Sequence, residues 1–329
     1  MHIFISGASG FIGGHFVKWF VKQGHTVWGM SRSPQTDVAI KKQGGMPIRC
    51  SLQQVQAEHL GGAQVVIHAA AMVAKWASYN DYYNVNVQGT ANLLEAARQA
   101  GVRQFVFISS EAVLFNGKHL LQVDEQTAYP ARMPFAYCRT KQQAERLVIA
   151  AHNHAGMHTV CLRPRMVWGP GEPHLLPRLL EAVRKNKFWW LGGGQYHTST
   201  THVYNLCHAV QAAVEQQLPY RVLFVADDEV QTLKNFIQRL MATQGVLHIQ
   251  ARNMPAWLAR LAAYWIEGGW RLSGLRQPPP VTRIAAAIFT SHCIINQNLL
   301  RQQVGLPFFI TVQQGMEELQ VLAGQKFGS

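Results

Sequence analysis

Tyr137 and Lys141 stand four residues apart in Tyr137-Cys138-Arg139-Thr140-Lys141 and carry the side chains best suited to acid/base chemistry. On a helix this spacing puts both on one face. A free tyrosine gives up its proton only near pH ~10. A neighbouring ammonium favours the phenolate and would bring that value towards the operating pH, and the long lysine stem can reach ribose hydroxyls. Ser110 ends the apolar run Phe105-Val106-Phe107-Ile108, where its hydroxyl can hydrogen-bond a substrate oxygen and polarise a carbonyl. Together the three suit proton exchange at a ketone or alcohol oxygen while hydride moves at the adjoining carbon.

A hydride carrier needs a phosphate cradle, and Gly7-Ala8-Ser9-Gly10-Phe11-Ile12-Gly13 has the composition of one. Glycines are required where the turn is tight, where backbone approaches a pyrophosphate, and where helix packs on strand without a Cβ between them. The helix opening at Phe11 and Ile12 offers free N–H groups and a partial positive charge. Cofactor choice falls to the end of the second strand, Val27-Trp28-Gly29-Met30-Ser31-Arg32-Ser33. No carboxylate stands at the usual place for the ribose hydroxyls, and Arg32 with Ser31 or Ser33 suits a 2′-phosphate. NADP(H) is favoured, with NAD(H) left open.

Short apolar runs alternating with helical patterns must position these residues. Strands are expected at 2–6, 26–30, 47–49, 64–68, 104–109 and 158–163, and helices at 11–23, 81–100 and 137–155. Continuous runs such as Val65-Val66-Ile67 fit strands covered on both faces by crossover helices. The expected fold is α/β, a Rossmann-type doubly wound parallel sheet with a smaller C-terminal substrate-binding lobe. Residues 1–169 would form the dinucleotide-binding domain, with about 197–226 returning to it, and 170–329 mainly the lobe.

The glycine turn, Ser109-Ser110 and Tyr137-x-x-x-Lys141, in this order and on this scale, resemble the extended short-chain dehydrogenase/reductases of the NAD-dependent epimerase/dehydratase superfamily, along nearly the whole chain. His68-Ala69-Ala70-Ala71 and Asn86-Val87-Gln88-Gly89-Thr90-Ala91-Asn92-Leu93 are similar to that family's fourth-strand turn and following helix. The resemblance implies that Gly7, Ser9, Gly10, Phe11, Ile12, Gly13, Arg32, Ser51, Leu52, Ala69, Ala70, Ala71, Asn86, Ser109, Tyr137, Lys141 and Pro164 hold the cofactor. It assigns catalysis to Ser110, Tyr137 and Lys141. It also implies a homodimer paired through the helices expected at 81–100 and 137–155.

Leu162-Arg163-Pro164 through Leu180, together with Lys75–Tyr82, resemble the 3β-hydroxysteroid dehydrogenase-like branch. Within it the likeness runs to sterol-4α-carboxylate 3-dehydrogenases and bacterial 2-alkyl-3-oxoalkanoate reductases. An apolar ketone or alcohol, hydroxysteroid-like or a β-keto acid, is the implied substrate. Three departures stand out. Ser51-Leu52 replaces the family's Asp-Leu at the adenine, Ser199 replaces an Asp, and Glu111-Ala112 breaks the acidic pair of the dehydratases. The alternatives are a nucleotide-sugar epimerase with tightly held NAD, or a dinucleotide sensor without catalysis.

Of the 329 residues 48% are hydrophobic and 14% charged, ample for a buried core. Five isolated cysteines lack CxxC spacing, as thiols of a reducing compartment do. The chain enters its first strand at Ile3-Phe4-Ile5 without a secretory signal, and the cytoplasm is the expected location. No run of apolar residues is long enough for a transmembrane helix. The histidines, His152, His154 and His158 among them, form no metal-ligand spacing, so no metal is expected. A net charge of +13 comes without a nucleic-acid motif. Phe188-Trp189-Trp190-Leu191 and Trp257, Leu258, Leu261, Ala262, Tyr264 and Trp265 read first as core. A lipid-lined tunnel or a peripheral membrane contact is the other reading.

Overall fold

The computed structural model describes residues 1–73, 76–216, 218, 221–275 and 277–327; Lys75, at the head of the segment 75–82 compared above, lies outside them. Seven parallel strands form the main sheet: β1 (His2–Ser6), β2 (Thr26–Ser31), β3 (Met46–Arg49), β4 (Val65–His68), β5 (Gln104–Ile108), β6 (His158–Pro164) and β7 (Val222–Val225). Their spatial order is β7-β6-β5-β4-β1-β2-β3, the doubly wound Rossmann arrangement expected. The order of successive strands turns back between β1 and β4, which run parallel and pair Ile3 with Val65 through Ser6 with His68. Ligands of such sheets sit at the carboxyl ends of the strands beside that switch.

The apolar runs do what their composition requires. Every residue of β4 and β5 is buried, with helices packed on both faces. α1 (Phe11–Lys22) and α6 (Val203–Gln216) close one side, and α3 (Gly89–Gln99) and α4 (Ala136–Ala150) the other. α2 (Pro34–Lys42) starts at Ser33, whose hydroxyl accepts from the Thr36 N–H. β7 pairs with β6 from Val222–Cys161 to Val225–Pro164.

The helix expected over 81–100 is present but not α-helical throughout. A short helix, Tyr79–Tyr83, runs through a π-helical turn, Asn84–Gln88, into α3. The extra residue in such a turn re-aims side chains, and these turns gather at functional sites. Here it buries Asn86.

The remaining chain builds a second layer from α5 (Leu175–Arg184), α7 (Leu233–Ala242), α8 (Ala256–Leu272), α9 (Arg283–Phe289) and α10 (Val312–Phe327) with short strand pairings. Trp168, Trp190, Phe236 and Leu179 share its core. The aromatic stretch of α8 corrects the core reading. Trp257 is 68% exposed and Trp265 69%, with Leu258, Leu261 and Tyr264 also exposed. Ala259 and Ala263 of the same helix are buried. A periodic stripe tells which residues share a face; here the side pressed to the core is the small-residue side.

Candidate functional site

The glycine turn lies where β1 ends. Gly7 has φ of +71°, and a Cβ there would come within 2.7 Å of the Ala70 nitrogen. At Gly13 a Cβ would stand 2.1 Å from the Gly7 carbonyl oxygen. Gly10 caps α1 without a side chain on the free N–H groups, and no acid occupies the first turn. Ser9 and Gly10 are exposed at the mouth, with Phe11 and Ile12 half-buried behind. This is an open cradle of donors for an anion.

Beneath the turn runs a polar chain that joins the two motifs at His68 and Asn86–Thr90 to Ser6. The Ser6 hydroxyl meets His68 Nδ1 at 2.6 Å and accepts from the Ala70 N–H at 3.2 Å. His68 Nε2 meets Thr90 Oγ1 at 2.9 Å, and Thr90 donates to the Asn86 carbonyl at 2.6 Å. Burial and the Lys141 charge hold the His68 imidazole neutral, its pKa lowered to about 3. Asn86 Oδ1 accepts from the Met72 N–H at 2.7 Å, and its Nδ2 donates to Thr140 Oγ1 at 3.2 Å. The wall Ala69–Ala71 beside the crevice is thereby tied to α3 and α4. The signal for Ser6 is faint in the sequence, because a polar residue ending a strand has no periodicity.

At the end of β2 Arg32 is exposed. The Ser31 hydroxyl lies 2.7 Å from Thr36 Oγ1 and donates to the Asp37 carboxylate, which is also paired with Arg49. A carboxylate thus reaches the β2 terminus from α2, a residue the sequence reading did not place there. The Ser31 hydrogen bond, first, and Arg49 hold the Asp37 carboxyl below its ordinary range. Ser51 donates to Gln54 Oε1 at 3.2 Å. Leu52 is buried and its carbonyl accepts from Asn92 at 2.9 Å.

α4 carries Tyr137 and Lys141 and is clamped to β6 by a buried ion pair, Arg163 Nη2 to Glu145 Oε1 at 2.7 Å. Lys141 is 2% exposed. Its Nζ donates to the Ile108 carbonyl at 2.8 Å and lies 4.2 Å from the Phe107 ring centre. Burial pulls its pKa down to about 8. The expectation that this ammonium lowers the Tyr137 pKa is corrected. The phenol is pushed well above its ordinary value, by burial first and then by the Glu111 charge, with the Ser110 hydrogen bond acting in the opposite sense. The physical reason is direction: the ammonium is engaged at the end of β5.

Ser110 is also held differently than its sequence position suggests. It donates to Glu111 Oε2 at 2.7 Å and accepts from the Ala112 N–H at 3.2 Å. Glu111 in turn pairs with buried Arg165 at 2.6 Å, and Arg165 Nε donates to Thr198 Oγ1 at 2.9 Å. The Ser109 hydroxyl is buried without a protein partner, a donor left over beside the crevice where a bound group would satisfy it. Pro164 ends β6. A narrow pocket beside Tyr137, about 60 Å³, is lined by Tyr82, Phe135, Arg271 and Thr282. Thr282 also lines an apolar cavity of about 580 Å³ between α5, α7, α8 and α9.

The uncapped turn, the glycines whose Cβ atoms would collide with its backbone and the orphaned Ser109 hydroxyl fit a nicotinamide dinucleotide. Fold and site together define an oxidoreductase of the extended short-chain dehydrogenase/reductase type, which moves hydride between nicotinamide and a ketone or secondary alcohol. The sequence model of the 3-beta hydroxysteroid dehydrogenase/isomerase family matches residues 4–254. The chain belongs to that family.

Similar proteins agree. The 4-hydroxy-2-methyl-3-oxo-4-farnesyl-3,4-dihydroquinoline-1-oxide ketoreductase of Stigmatella aurantiaca is 36% identical over 322 residues, 97% of this chain and 96% of that one. The 2-alkyl-3-oxoalkanoate reductase of Stenotrophomonas maltophilia is 29% identical, covering 97% and 98%. Among solved structures, MoeE5 in complex with UDP-glucose and NAD superposes with a TM-score of 0.74 at 21% identity, covering 100% of both chains. That likeness establishes the fold alone. The family match favours net oxidoreduction over epimerisation.

Proposed function

We propose that this enzyme reduces the ketone of an apolar molecule, a β-keto acid or hydroxysteroid-like compound, using NADP(H). Tyr137 gives the proton to the carbonyl oxygen, and oxidation of the alcohol is the reverse. The carrying observation is the placement of Tyr137 on α4, on the same helix face as the buried Lys141 ammonium and lining the narrow pocket with Tyr82 and Thr282. The dinucleotide, when bound at the β1–β4 switch, supplies or accepts the hydride. Lys141 sets the local positive potential and would hold the ribose hydroxyls of a bound dinucleotide. Ser110 keeps the phenol aimed, its own hydroxyl fixed by Glu111 and Arg165. A phenol that stays neutral is in the protonated form that a donor to an oxygen gaining negative charge must have.

The apolar substrate is supported by the 580 Å³ cavity that shares Thr282 with the Tyr137 pocket. It is supported too by the alkyl and farnesyl groups in the relatives' names. NADP(H) is supported by exposed Arg32; the Asp37 carboxylate near it is already paired with Arg49. Arg32→Ala should raise KM for NADPH roughly 10- to 100-fold, for loss of a charge-assisted hydrogen bond worth about 1.5–3 kcal/mol, with NADH kinetics unchanged. Equal effects on both cofactors would refute the NADP(H) reading. We further propose that two copies pair through residues 79–99 and α4, where Tyr83 and Leu147 are exposed. The five unpaired cysteines suit a cytoplasmic home.

A further inference from the structure

Beyond the chemistry, α8 leaves an unexplained surface. At ~100° per residue, Trp257, Leu258, Leu261, Tyr264, Trp265 and Leu272 fall within about a third of the helix circumference. All six are exposed. Ala259, Ala262 and Ile266 look the other way and line the apolar cavity. The flank between is tied down: Arg260 bonds Thr290 and Ser291, and Glu267 pairs with Arg271 and accepts from the Arg283 N–H. The exposed face is therefore held rigidly outwards.

Charge identifies the occupant. Over residues 247–283 the carboxylates number one, Glu267, against five arginines, and the whole chain carries +13. Arg252 lies 5.6 Å from the centre of the Trp189 ring, itself exposed on the strand pairing beside α8. A second copy would bring a like-charged rim against this one. An anionic lipid surface complements it, and tryptophan and tyrosine, apolar in body and polar at the tip, suit the headgroup boundary. α8 has 17 residues, and among the described residues no helix is long and apolar enough to cross a membrane. The geometry is that of a helix lying in the interface.

We propose that α8 docks the enzyme on anionic bilayers, with Trp257, Leu261, Tyr264 and Trp265 in the headgroup layer. The apolar cavity then stands behind the docked face, one helix away from lipid. The test is co-sedimentation of the full chain with vesicles of equal parts phosphatidylglycerol and phosphatidylcholine, and with phosphatidylcholine alone. The protein should bind the anionic vesicles, release them as salt rises, and ignore the neutral ones. Trp257→Ser with Trp265→Ser should weaken binding roughly tenfold or more through lost apolar burial, with its unfolding midpoint and its NADPH oxidation on a water-soluble ketone unchanged. Leu261→Asp should do the same. Failure to bind anionic vesicles, or undiminished binding by these variants, overturns the proposal. So does a wild-type dimer that the variants split, which would make the face a contact between copies. Vesicle binding is read without turnover, so its failure is distinct from failure of the catalytic reading.

Discussion

Lys141→Met should make the protein more stable at neutral pH while removing its activity. The ammonium is fully enclosed, with the Ile108 carbonyl 2.8 Å from Nζ and the Phe107 ring beneath it. It gives up its proton at about 8 where a lysine ordinarily does so at 10.5. At ~1.36 kcal/mol for each pH unit between those values, keeping it charged costs the fold about 3 kcal/mol at pH 7. Methionine fills similar space without a charge and leaves the Ile108 carbonyl unpaired, at about 1 kcal/mol. The net gain is about 2 kcal/mol. Between pH 8 and 10.5 the unfolded chain keeps the lysine proton that the folded chain has lost, so wild-type stability rises with pH relative to the variant. Urea denaturation of both proteins at pH 7 and pH 10 reads the difference. A methionine variant less stable at pH 7, or a gap that does not shrink at pH 10, refutes the reasoning. A cation retained at such cost is the mark of a functional position.

Glu111→Ala strands the buried Arg165 guanidinium, which should destabilise the fold by about 3–5 kcal/mol in urea denaturation. It should also lower kcat by freeing Ser110. Glu111→Gln keeps a hydrogen bond to Ser110 and should recover part of kcat. Gly13→Ala drives a methyl group into the Gly7 carbonyl, so NADPH binding measured by fluorescence titration should be lost. Arg32→Ala, measured against both cofactors, completes the set.

The parallel sheet was legible because strands buried on both faces must be continuous apolar runs. Val65-Val66-Ile67 and Phe105–Ile108 read that way and lie where expected. The helix through Asn86 reads in the sequence as plain α-helix, since a π-helical turn leaves the polarity pattern almost unchanged. The glycine turn and the Tyr137–Lys141 spacing were visible because both depend on neighbours in sequence. What Tyr137 and Lys141 point at was not. Glu111 and Arg165 are 54 residues apart, and only the fold brings that pair under Ser110. The α8 stripe shows the limit of periodicity: it grouped Trp257, Leu261 and Trp265 on one face and left open which face the core would take.

The central claim is that Tyr137 carries the proton of a hydride transfer. The direct measurement is NADPH oxidation by Tyr137→Phe with an apolar β-keto acid, beside a titration of NADPH binding. The account predicts a kcat lower by about 10²–10⁴-fold, the scale of a lost general acid, with NADPH affinity preserved. Turnover at the wild-type rate in a variant that still binds NADPH would contradict it.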